Sequence, residues 1–99
     1  MPIGGLMDIP ESVSVLGVPY AVVRGGCEPD ENGSCSPAKR EIRIREGLCP
    51  EQEAQVYLHE LVHEVLDALA YDDLYGDERL VQGLAIGLHQ ALCGPTCAS

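Results

Sequence analysis

PEQEAQVYLHELVHEVLDALA, residues 50–70, is the stretch that decides how this 99-residue chain folds. Pro50 suits the first turn of a helix, where its missing amide donor is not needed, and Glu51 and Glu53 complement the positive end of the helix dipole. Apolar residues recur at Ala54, Leu58, Leu61, Val62, Val65 and Leu69, the stripe of an amphipathic helix running to about Ala70. Inside it stands His59-Glu60-Leu61-Val62-His63. Residues four apart share one helix face, so the two imidazoles can reach a single Zn²⁺ at about 2.0–2.1 Å. Glu60 is then placed to take a proton from water polarised by the metal. Two of the chain's three histidines have this spacing, at the border of the apolar stripe, where a metal would have a dry floor and an open mouth.

Two histidines alone hold zinc weakly, and hydrolytic sites add a third protein ligand while keeping a fourth position for water. Glu78 is the leading candidate, fifteen residues after His63 in the first turn of a second helix, which Gly76 or Asp77 can cap and which runs to about Leu92. Asp77 is the neighbouring alternative; Asp72 and Asp73 fall in the turn between the helices. His89 lies about 16 Å along the second helix from Glu78 and cannot share a metal with it. Asp67, one turn after His63, is a candidate outer partner for an imidazole N–H. Tyr71 and Tyr75 are candidates to stabilise a transition state. Leu80, Val81, Leu84, Ala85, Leu88, Ala91 and Leu92 form the expected buried arc of the second helix, and a close neighbour would account for Gly83 and Gly87.

The first half reads as β structure. Ser12–Leu16 alternates, and Val18–Arg24 resumes a β-branched run after Gly17, the pattern of a hairpin. Gly25–Pro37, rich in Gly, Pro, Asn, Asp and Ser, reads as a flexible loop. Arg40–Arg45 places Ile42 and Ile44 on one face and arginines opposite, a half-buried strand expected at a sheet edge. If that edge lies beside the metal, an extended peptide could pair along residues 40–45. The expectation is one α+β domain over residues 1–99: a β-rich half over 1–49, with about three strands and the loop 25–37, and a helical half over 50–99 carrying the metal site.

Composition narrows the partners. The formal charge is −10, and from Glu51 onward nine acidic side chains face a single base, Arg79, which disfavours nucleic acid. With no Trp or Phe, the core rests on aliphatic residues and four tyrosines, and a bound metal could supply part of the stability. No secretory signal and no apolar run of membrane-spanning length is visible, and the five cysteines are odd in number, so a cytoplasmic protein with free thiols is expected. Cys93 and Cys97, in CGPTC, lack the spacing of a zinc ribbon.

HELVHEVLDAL followed by ERLVQGLAIGLHQAL resembles the small phage and mobile-element zinc metallopeptidases of the ImmA/IrrE-like, or minigluzincin, kind. IPESVSVLGVPYAVV, REIRIRE and LCPEQEAQVYLHELVHEVL follow in the order of those proteins, and the likeness covers most of the chain. The resemblance implies a minimal zincin fold, one Zn²⁺ per chain held by His59, His63 and Glu78, and Glu60 as general base and later proton donor. Val81, Leu84 and Ala85 fit the frame that follows the glutamate ligand. A phage origin, with the host cytoplasm as the compartment, is implied on the same basis. The cysteines of the loop and the CGPTC tail depart from the pattern, and no DNA-binding helix-turn-helix accompanies it.

The expected function is a zinc-dependent endopeptidase acting on a protein or peptide. The alternative is a non-catalytic interaction protein whose zinc is structural or latent, with Cys93 or Cys97 closing the fourth position.

Overall fold

Leu16 and Gly17, with φ of 49° and 87°, make the two-residue turn that folds Ser12–Val15 (β1) back onto Val18–Arg24 (β2). Both turn positions need positive φ, which glycine adopts without strain. Pro19 is tolerated in β2 because it opposes Ser14 at a position that makes no ladder bond to β1, and the pairing on its other side begins only at Ala21. The computed structural model describes residues 8–93. Gly33–Ser36 (β3) and Glu41–Ile44 (β4) complete a four-stranded mixed sheet of order β1-β2-β4-β3, in which β4 runs parallel to β2 and antiparallel to β3. The helices are Pro50–Ala68 (α1), the single turn Asp72–Tyr75 (α2) and Glu78–Cys93 (α3). The α+β class expected from the sequence is the class observed.

Two expectations for the first half are corrected. The 40–45 strand is not an edge: β4 is hydrogen-bonded on both sides, and Ile42 and Ile44 are fully buried under α1. A peptide therefore cannot pair along residues 40–45. The edge is instead β3, which lies within the segment read as a loop. Arg45 N–H donates to the Asn32 carbonyl, so Asn32, Ser34 and Ser36 face β4, and the N–H and C=O groups of Gly33 and Cys35 point to the open side.

α1 buries more of its circumference than its apolar stripe, because it lies between the sheet and α3. Tyr57 and Leu58 pack with Ile42, Ile44 and Ala85; Val62 and Leu66 pack with Val81. Glu60, His63 and Glu64 are buried with them, whereas Leu69 is exposed, and the helix stops at Ala68, where Ala70 turns to a φ of 63°. α3 packs on one side only. Val81, Ala85 and His89 are buried, but Leu84, Leu88 and Leu92 are not, so the expected seven-residue arc is a narrow stripe at every fourth position. Close packing does not explain Gly83 and Gly87: a Cβ at either would meet nothing within 4 Å. No helix among the described residues is long and apolar enough to cross a membrane.

Candidate metal centre

His59 and His63 stand one turn apart on α1, and Glu78 is the first residue of α3. Asp77, the alternative, does not join this cluster and has another use. Its Oδ1 accepts the Leu80 N–H at 3.1 Å and its carbonyl accepts the Val81 N–H, the geometry of an N-cap. That cap aims the next side chain, Glu78, back across α1. The three side chains offer ligand atoms that all lie within 4.8 Å of one another.

Each imidazole has one nitrogen committed. His63 Nδ1 lies 2.6 Å from the Tyr75 carbonyl oxygen, which can only accept, so Nδ1 carries the proton. His59 Nδ1 lies 2.7 Å from Gln82 Oε1, which selects the same tautomer. The Nε2 atoms, bearing lone pairs in neutral rings, both face one carboxylate. His59 Nε2 is 3.0 Å from Glu78 Oε1, and His63 Nε2 is 2.9 Å from Oε2. Acceptors opposed at such distances repel unless positive charge lies among them, as protons on the rings or as one metal ion. A tetrahedral ion with bonds of about 2.0–2.1 Å sets its donor atoms roughly 3.3 Å apart. The observed separations approach that value, and the outer N–H groups are anchored as they are in histidine–metal sites. The three residues could hold a metal ion.

Glu60 is 8 % exposed and faces the same space. Burial raises its carboxyl above the usual range, partly offset by His59 and His63, while Glu78 pushes it further up. Gly33 determines how close β3 comes. A Cβ there would sit 2.4 Å from Val56 Cγ1 and 3.2 Å from Glu60 Oε2, so only glycine lets the strand lie this near the helix. Two cavities flank the three side chains along β3. One, of about 390 Å³, extends towards Gln52, Gln55 and Gln82; the other, of about 310 Å³, is walled by Ser34, Cys35 and Tyr75.

Of the two candidate tyrosines, Tyr75 is beside His63, its ring centroid 5.1 Å away, and its hydroxyl is 3.6 Å from Cys35 Sγ. Burial raises both the Tyr75 phenol and the Cys35 thiol, so both stay protonated. Tyr71 is exposed. Asp67 holds neither imidazole; the Tyr75 carbonyl and Gln82 do. Cys97 and the side chain of Cys93 lie outside the described residues, and with them the possibility that either closes the site. Cys27, Cys35 and Cys49 are free thiols.

Sequence reasoning missed Gln82, Gly33 and Glu64. Gln82 was accessible in principle, since it follows Glu78 by four residues and shares its helix face. Glu64 is fully buried with neither oxygen in hydrogen-bonding geometry among the described residues. Burial pushes its carboxyl up, and the nearby Cys35 thiol and Tyr20 hydroxyl offset only part of this. Compared with known proteins, the chain matches no family model, and no curated protein or solved structure is significantly similar to it.

Proposed function

We propose that the protein is a zinc-dependent peptidase, a minimal zincin akin to the ImmA/IrrE-like enzymes, with His59, His63 and Glu78 as ligands and Glu60 as general base. The observation that carries the reading is the convergence of both Nε2 atoms on the Glu78 carboxylate, with the buried Glu60 beside them. When bound, zinc supplies a Lewis acid that polarises a carbonyl and brings the pKa of water towards ~7. Glu60 takes a proton from the attacking water and delivers it to the departing amine nitrogen. Its buried setting favours that double duty, because a carboxyl with a raised pKa holds a proton more readily than an exposed one. Tyr75, held neutral, is placed to donate a hydrogen bond to an oxygen that gains charge in the 310 Å³ cavity.

The substrate is an extended segment of protein or peptide that adds to the open edge of β3. The unpaired N–H and C=O groups of Gly33 and Cys35 would fix its backbone next to Glu60. Three free thiols among the described residues suit a reducing compartment such as the cytoplasm. The flanking cavities favour an open, catalytic site over a closed structural one.

The test compares wild type with Glu60→Gln, zinc-loaded, on denatured protein mixtures read by mass spectrometry of new termini. Wild type is expected to cut and Glu60→Gln to retain zinc and fold without cutting. Equal cleavage by both would remove Glu60 from the mechanism.

A further inference from the structure

We infer that the cavity beside Gln52, Gln55 and Gln82 receives a lysine or arginine side chain of the bound peptide, which makes it the pocket that selects the substrate. This rests on the peptidase reading for its location, and on the cavity's own chemistry for its preference.

The cavity of about 390 Å³ is at the small end of ligand pockets and suits one long side chain. It opens at Gly33, whose carbonyl and amide point to the free side of the sheet, so a paired strand delivers alternate side chains to this face. Its wall is rich in acceptors. Gln52, Gln55 and Gln82 line it together with Glu31, Glu60 and Glu78, and no lysine or arginine does. Val56 supplies an apolar side against which an aliphatic stem can lie, while the charged head reaches the acceptors.

The charge balance points the same way. Glu60 enters no ion pair among the described residues, and the two positive charges of a bound zinc would offset Glu60 and Glu78, leaving Glu31 in excess. Arg45 reaches the edge of the cavity at Glu31 but pairs with no carboxylate among the described residues. Its guanidinium donates to the carbonyls of Glu28, Pro29 and Glu31, the last a residue of the cavity wall. An acidic side chain would enter against Glu31 and against a chain of net charge −10. The second cavity shares Glu31, Glu60 and Glu78 with the first but has Ser34, Cys35 and Tyr75 where the first has the three glutamines and Val56, so the two sides of the cleaved bond meet different walls.

The experiment measures binding, so that it does not depend on turnover. Zinc-loaded wild type, which keeps the Glu60 charge, is titrated in the cold by fluorescence anisotropy, with the peptides checked by mass spectrometry to be uncut, using extended Ala/Ser peptides in which Lys, Arg, Gln or Glu is placed at each position in turn. At one position, Lys and Arg are expected to bind at least about tenfold more tightly than Glu, a difference of about 1.4 kcal/mol. The preference should shrink with added salt and reverse in Glu31→Lys or Gln52→Lys, the latter an exposed helix position that tolerates the change. Equal binding of all four guests, no binding of any, or a basic preference unaltered by both variants would overturn the inference. Cleavage by wild type without a basic preference would leave the peptidase reading intact and remove this one. Basic-selective binding without cleavage would do the reverse.

Discussion

His63 Nε2 lies 2.9 Å from Glu78 Oε2 while His63 Nδ1 is held by the Tyr75 carbonyl, so the ring's lone pair is aimed at a carboxylate with no freedom to turn away. The pair is strained electrostatically until a cation joins it. Purified without added metal, the wild-type protein is expected to carry about one zinc per chain. His63→Ala and Glu78→Ala should carry none, as read by elemental mass spectrometry. Asp77→Ala should keep zinc and lose about 1 kcal/mol of stability as a cap deletion. Zinc lost in Asp77→Ala and kept in Glu78→Ala would exchange their roles.

Gln82 touches the centre only through His59. Replacing it with Ala is expected to weaken zinc by about 10- to 100-fold, measured by competition with a chelating dye, and leave the helical signal in circular dichroism unchanged. Unaltered affinity would mean that His59 needs no outer partner.

Gly33 is bound by space. Gly33→Val should cost about 1–3 kcal/mol in denaturant unfolding, because its side chain would enter the volume of Val56. Adding Val56→Ala should recover part of that loss. A double variant no more stable than Gly33→Val would show that the strand's approach is set elsewhere.

Thiol chemistry separates the cysteines. Only the thiolate is alkylated, and burial raises the Cys35 thiol well above the ordinary range, so its reactive fraction is small at pH 8 and grows only as pH rises. Iodoacetamide labelling of the folded protein, mapped by mass spectrometry, should modify the exposed Cys49 first and Cys35 far more slowly. Unfolding should abolish the difference.

Saturation with zinc at a hundredfold excess over its dissociation constant should raise stability by about 2.7 kcal/mol, and chelation should remove that increment. A thermal midpoint indifferent to metal would separate the three side chains from any role in holding one.

The helical half was legible because its signals are local. Pro50, the HExxH spacing and a glutamate behind a capping aspartate each act within one helical turn, and the structure places them together as those spacings imply. The sheet was legible where β-branched residues alternate, in β1, β2 and β4. It was not legible in β3, whose Gly-Ser-Cys-Ser has no residue favoured in strands; pairing with β4 and the space left by Gly33 make it one. The order of strands was hidden for the same reason, since an unrecognised neighbour left residues 40–45 looking like an edge. The arc on α3 was overestimated because periodicity tells which residues share a face, not whether a second layer covers it. The outer partner of His63 arises from tertiary contact with the turn at Tyr75, and that of His59 from Gln82 on α3, and no spacing on α1 encodes either.

Glu78 opens α3, and the opening turn of a helix is where fraying starts. Of the three candidate ligands, two are thus fixed mid-helix and the third is mounted on the turn that loosens first. If a metal binds there, its release would begin with Glu78 swinging out as the Asp77 cap opens, and its residence time would be governed by a local unfastening and not by unfolding of the domain. Sequence changes in the short segment Gly76–Arg79 could then alter how quickly metal is exchanged with the surroundings while leaving the two histidines untouched.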